Sequence, residues 1–334
     1  MIEPVPMHSW LAFDARYPAP TFFARPAWAQ ALAYAYPHLR PYPVWVHTPT
    51  TSVLVPLMQS SGGRLGWREF VGMPLGTYTC AMRGDGTLAD AAEYDAAISI
   101  LAHACDALTI VPWPLATPPC APSWTRVRHE AAAIDLSSGE TAVMSRMAGV
   151  SRRMAGQAER RGIECAPCRS GLAVSTFYGM LCESSERWGL TRPPFPRELL
   201  DGLYSYGGSD VEIWLAQCDG HPVAGGVVVF GSQELFFWSA AMRQAFARLR
   251  PSNALNLSLI RAALARGVHW YNLGASEGLP GVERFKRGLG ADAVTYAALQ
   301  YKSARYTVYS HLRSSLRRMS ARTAPAPTLS QGGS

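Results

Sequence analysis

Lysine is almost missing from this chain. Among 31 cationic side chains only Lys286 and Lys302 are lysines, and the rest are arginine. A chain that writes arginine nearly everywhere, yet lysine at Lys286, points to a need for a compact ammonium where a planar guanidinium does not serve. Charge is scarce as well. With 16% charged against 48% hydrophobic residues, the composition excludes a disordered chain and predicts a globular one. No apolar run approaches the roughly 18 residues that cross a bilayer, and the opening residues Met1 to Trp10 carry neither a basic nor an apolar signal region. A cytoplasmic protein is expected.

Several catalytic signatures are absent. The eight histidines form no HxxxH or HExxH pair, no serine sits in a G-x-S-x-G elbow, and there is no phosphate-binding P-loop. Seven cysteines, an odd number, fit reduced thiols better than a disulfide frame. Cys165 and Cys168 have CxxC spacing without a second pair, so neither a metal nor a tightly bound cofactor is expected.

What is present is basic and punctuated by glycine. A net charge of +7 and a pI near 9.1 suggest an anionic partner, whether a phosphate-rich substrate, RNA or an acidic membrane surface. The 334 residues suffice for two domains, each with its own core. The pattern predicts a helix after Thr21-Phe-Phe-Ala-Arg-Pro26 ending at Pro37, strands at 44–47, 52–58, 67–71 and 77–82, a helix over 87–107, and strands at 108–111 and 127–136. A single long basic helix follows over 141–161. The second half then repeats that order: helices at 172–188 and 196–204, strands at 211–218, 223–230 and 234–241, a helix over 253–266, and strands at 268–273 and 293–300. Between the last two strands, Gly274, Gly278, Gly281, Gly288 and Gly290 punctuate a loop and one helical turn around Lys286. Such a loop brings backbone N–H groups close to a ligand. The fold class expected is α/β (α+β), two copies of a mixed unit, with segments 1–138, 139–170 (a connecting basic helix and strand), 171–304 and 305–334. In the last segment, Val308, Leu312, Leu316 and Met319 form an apolar stripe edged by Arg305, Arg313, Arg317, Arg318 and Arg322. Peripheral membrane contact through 305–322 is one role for it, packing on the domain another, and 323–334 reads as a disordered tail.

Three pieces together resemble the FemABX-type double-GNAT acyltransferases, over roughly residues 20 to 302. They are the aromatic pair and proline of Phe22-Phe23 to Trp28, the basic helix Ser151 to Glu164, and the set Arg248-Leu-Arg-Pro-Ser-Asn253, Tyr271-Asn-Leu-Gly-Ala-Ser276 and Gly281-Val-Glu-Arg-Phe-Lys-Arg-Gly-Leu-Gly290. The resemblance implies two tandem GNAT-like domains, each a mixed, mostly antiparallel sheet flanked by helices. It also implies an acyltransferase that forms an amide, with Phe285 and Lys286 where the donor's ester carbonyl lies. Asn272 departs from the family's more frequent acidic residue at that place.

The chemistry then expected is transfer of an aminoacyl group from aminoacyl-tRNA to an amine of a cell-wall precursor or small molecule, with Lys286 stabilising the tetrahedral oxyanion. Glu186, with Glu183 and Glu277, is a candidate base, and Tyr271 a candidate leaving-group acid. Arg152, Arg153, Arg160 and Arg161, together with Arg248, Arg250 and Asn253, are candidates for phosphate contacts. The 248–253 loop lacks glycine and contains Pro251, which removes a donor, so ordinary CoA binding there is disfavoured. Two alternatives stand beside this: an acyl-CoA or acyl-carrier-protein thioester donor in envelope polysaccharide or secondary metabolism, and a non-catalytic double-GNAT binding protein. No DNA partner is implied.

Overall fold

A computed structural model describes residues 1–60, 66–116, 121, 123–276, 278–310 and 312. The chain opens with β1 (Ile2–Pro4) and α1 (Met7–Arg16), which the sequence pattern does not announce. A short 3-10 turn at Phe22–Ala24 leads into α2 (Pro26–Ala35), where Pro26 takes the first helical position and its missing N–H leaves no bond unmade. There follow β2 (Leu39–Pro41), β3 (Val44–His47), β4 (Ser52–Val55), β5 (Met58–Ser60), β6 (Glu69–Val71) and β7 (Met82–Arg83). The single strand expected over 52–58 is thus two, since Pro56 cannot donate to a ladder and the chain changes sheet there. Of the strand expected at 77–82, only its last residue joins β7, and Thr79 makes an isolated bridge to Pro112.

The helix α3 (Ala91–His103) begins later than expected, at a capping box in which the Asp90 side chain takes the Glu93 N–H and the Glu93 side chain takes the Asp90 N–H, both at 2.9 Å. Then come β8 (Ala107–Ile110) and β9 (Thr125–Asp135). The expected long basic helix is two helices, α4 (Gly139–Arg146) and α5 (Gly149–Arg160), with Met147 and Ala148 extended between them. The break has a tertiary cause: the Ala148 N–H donates to the Gly288 carbonyl at 3.0 Å, and Met147 is buried in the core.

The second half holds β10 (Ile163–Cys168), α6 (Gly171–Arg187), α7 (Arg197–Tyr206), β11 (Val211–Cys218), β12 (His221–Phe230), β13 (Glu234–Met242), α8 (Pro251–Ala265), β14 (Trp270–Ala275), α9 (Pro280–Gly288) and β15 (Asp292–Lys302). A helical stretch at 304–310 follows, in which Arg305 is tied to Asp106 at 2.9 Å. Arg313, Leu316, Arg317, Arg318, Met319 and Arg322 of the expected amphipathic helix lie outside the described residues, as does the tail.

Among the described residues two sheets result, one of order β1-β3-β4-β7 and one of order β10-β11-β12-β13-β14-β9-β15-β8-β6-β5-β2. The long sheet crosses the segment boundaries read from the sequence. β9, from the first segment, pairs with β14, whereas β15, from the third, pairs with β8, so each half lends a strand to the other. The halves also pack side to side. A Cβ on Gly202 of α7 would meet the Ala31 Cα of α2 at 3.0 Å, and Phe23 packs edge-on against Trp28, Tyr78 and Phe236 of β13.

Candidate functional site

β13 and β14 are parallel and pair only at Glu234, Leu235 and Phe236 with Trp270, Tyr271 and Asn272; beyond that the strands diverge. The gap opens into a cavity of about 700 Å³ between the halves. Its walls are aromatic: Phe236, Phe237 and Trp238 come from β13, Tyr78 from the first half, His129 from β9 and Tyr296 from β15. His129 stacks on Tyr296 with ring centroids 5.4 Å apart. Among the described residues the charged ones of the lining are Glu130 and the paired Glu283 and Arg287, so this wall is not the cationic surface that the net charge suggests.

Gly274, Ala275 and Ser276 at the end of β14 form the part of the wall nearest Lys286. Gly274 has a φ of 67°, which favours glycine. Lys286, in the last turn of α9, is 7% exposed and donates from Nζ to the carbonyls of Gly274 at 2.9 Å and Ala275 at 2.7 Å. The ammonium therefore stands behind the cavity wall and grips its peptides. α9 itself is a full helix where one turn was expected. Phe285 is half-buried and packs on the core of the second half.

Other residues named from the sequence lie elsewhere. Tyr271 is fully buried with its hydroxyl donating to Asn256 Oδ1 at 2.7 Å, on the α8 side of β14, because alternation turns Asn272 and not Tyr271 toward the first half. It is not among the residues that line the cavity. Glu186 is exposed in the last turn of α6, and Glu183 beside it pairs with Arg243 at 3.3 Å; neither lines the cavity. Glu277 lies outside the described residues. Arg152 and Arg153, at one end of α5, and Arg160 and Arg161, at the other, are exposed. Arg152 caps the Met144 carbonyl of α4. Arg161 donates to the Arg248 carbonyl at 2.8 Å, which brings Arg161, Arg248 and Arg250 to the N-terminus of α8. Arg250 has a left-handed φ of 61° there, and Asn253 is buried in the first turn.

Sequence reasoning missed Glu234. It is 0% exposed at the start of β13, where its Oε1 accepts from Asn272 Nδ2 at 2.7 Å. Asn272 Oδ1 in turn accepts from the Gly274 N–H at 2.8 Å. Burial pushes the carboxyl up to about 7, against the lowering effect of Thr21, Asn272 and Trp113. Burial also pushes Tyr78 well above the usual tyrosine range, with Tyr296 and Glu234 nearby adding to it. A lone acid at the head of the otherwise apolar run Glu234–Met242 was the signal that could have found it.

Residues 145–287 match the family model described as an acetyltransferase (GNAT) domain. No curated protein matches the sequence. Among solved structures the chain is similar to FemX, with 11% identity, a TM-score of 0.67, and 89% of this chain and 96% of that one covered. It is also similar to the C-terminal domain (DUF2156) of a putative lysylphosphatidylglycerol synthetase from Agrobacterium fabrum (12% identity, TM-score 0.58, 91% and 94% covered). A third match is a tandem GNAT protein from the clavulanic acid biosynthesis pathway (10% identity, TM-score 0.51, 90% and 98% covered). The chain has the tandem GNAT fold of these structures, with a GNAT domain matched over residues 145–287.

Proposed function

We propose, from the premise of this tandem GNAT fold, that the protein is an amide-forming N-acyltransferase whose site is the cavity at the splayed end of β13 and β14. The observation that carries the reading is the Lys286 ammonium on the carbonyls of Gly274 and Ala275. In a trans peptide the C=O and N–H point in opposite directions, so carbonyls turned toward Lys286 leave the Ala275 and Ser276 N–H groups facing away from it. Those residues line the cavity, and peptide dipoles with an ammonium behind them suit the oxyanion of a tetrahedral intermediate.

In the step proposed, the neutral amine nitrogen of the acceptor attacks the donor's acyl carbon and the carbonyl oxygen becomes the oxyanion. Collapse of the intermediate breaks the bond to the leaving oxygen or sulfur, which takes up a proton as the nitrogen loses one. The aromatic wall formed by Tyr78, Trp238 and Tyr296 suits an acyl or amine moiety with an apolar body, and desolvates the reacting centre.

For the donor, the reading favoured is aminoacyl-tRNA, supported by Arg161, Arg248 and Arg250 at the N-terminus of α8 and by the exposed Arg152, Arg153 and Arg160 of α5. An acyl thioester on CoA is the second reading. The arginines at the α8 N-terminus support it, whereas Pro251 at the first position of that helix removes one N–H from the place a pyrophosphate would occupy. Titration of the protein with charged tRNA, uncharged tRNA and acyl-CoA at two salt concentrations separates them. Salt-sensitive binding that prefers charged tRNA supports the first reading; saturable binding of acyl-CoA without tRNA binding removes it in favour of the second.

A further inference from the structure

Glu234 is the one acidic residue in β13 and is fully buried. A carboxylate is expensive to bury without a cation, and among the described residues Glu234 has no ion pair. Its connection to a cation is instead made through intermediates. Lys286 Nζ donates to the Gly274 carbonyl at 2.9 Å, the Gly274 N–H donates to Asn272 Oδ1 at 2.8 Å, and Asn272 Nδ2 donates to Glu234 Oε1 at 2.7 Å. An ammonium only donates and a carboxylate only accepts, so the chain has one direction and fixes which way the Asn272 amide faces. Every link is buried, and Gly274 in the middle is cavity wall.

We propose that Glu234 is a positioning residue: through Asn272, which holds the Leu273–Gly274 peptide, and the Gly274–Ala275 peptide that follows it, its carboxylate sets the position and hydrogen bonds of the Lys286 ammonium behind the cavity wall. The consequence for catalysis rests on the acyl-transfer reading above, whereas the coupling between the two side chains does not.

The surroundings make Glu234 the member of the network that changes charge near neutrality. Facing it are the Tyr78 hydroxyl and the Cys80 thiol from the first half, both pushed up by burial and both neutral at physiological pH, together with the uncharged Thr21 and Trp113. Glu234 itself is pushed up to about 7 by burial. At the other end of the network, on the cavity side, stand Glu130, the Glu283–Arg287 pair and His129. A group on that side would move a Lys286 signal independently of Glu234, so the test has to separate the two.

The scarcity of lysine supplies that test. Lysine labelled with ¹³C and ¹⁵N gives two side-chain signals by NMR, and Lys302→Arg assigns them. The proposal expects the Lys286 signal to move with a midpoint near pH 7 in the native protein and to stay in place over that range in Glu234→Gln. The double variant Glu234→Gln with Asn272→Asp, which carries the carboxylate one link along the chain, returns the signal to its native high-pH position. Should Glu234→Gln not fold, Asn272→Leu cuts the same chain and also abolishes the shift. A native Lys286 signal that is fixed from about pH 6 to pH 8, or one that shifts equally in Glu234→Gln, overturns the proposal. Absence of acyl transfer with every donor while the shift is present would count against the functional reading and leave the coupling standing. With activity in hand, the link to catalysis requires that Glu234→Gln flatten the kcat profile near pH 7 while KM holds.

Discussion

The Lys286 ammonium and the Gly274 carbonyl meet at 2.9 Å, at the residue where β14 has already parted from β13. The lysine thus supplies a donor where β14 has lost its pairing with β13 and its register with β9. A guanidinium in this 7% exposed position would have to displace its neighbours, and a methionine would leave two carbonyls unsatisfied. Lys286→Arg and Lys286→Met are therefore expected to lower transfer by about 10²-fold or more. Lys286→Met is further expected to lose about 1–3 kcal/mol of stability in urea unfolding.

Glu234 predicts how stability depends on pH. Its folded pKa is raised from 4.5 to about 7, so between those values the folded state holds a proton that the unfolded chain has released, and stability falls as pH rises through the window. The loss is complete above pH 7 and amounts to about 3 kcal/mol. Glu234→Gln is expected to be more stable than the native protein at pH 8 and to lack the decline, as denaturant melts at several pH values would reveal.

The arginines gathered at the N-terminus of α8 predict a salt effect. Charge reversal at Arg161, Arg248 or Arg250 is expected to weaken tRNA binding and to reduce the slope of log K against log salt by about one for each phosphate contact removed. The same change at Arg287, which is already paired with Glu283, is expected to leave the slope unaltered.

Contact between the halves predicts the effect of a larger side chain at the α2–α7 crossing. A Cβ at Gly202 would stand 3.0 Å from the Ala31 Cα and 3.2 Å from its carbonyl oxygen, and backbone cannot rotate away as a side chain can. Gly202→Val is expected to cost about 1–3 kcal/mol in thermal or denaturant unfolding.

Much of the fold was legible because local signals wrote it. Pro26 marked the first position of α2, the apolar runs marked β11 to β13, and the spacing from Arg248 to Gly290 marked α8, β14 and the lysine turn. What the sequence hid is non-local. The break at Met147 and Ala148 depends on a bond to Gly288, and the exchange of β9 and β15 depends on pairings between residues more than 130 positions apart, such as Val127 with Ala298. Lys286 stood out by composition, but that its ammonium faces backbone carbonyls and not open cavity did not. The cavity wall was hidden for the same reason as the strand exchange: Tyr78, His129, Trp238 and Tyr296 come from four separate stretches that only the folded sheet brings together.

The most direct measurement is product formation: the purified protein incubated with aminoacyl-tRNA or acyl-CoA donors and a panel of amines, with the amide detected by mass spectrometry for the native chain and for Lys286→Met. The account predicts an amide from the native protein and about 10²-fold less from the variant. Equal product from both, with the variant folded, would contradict it.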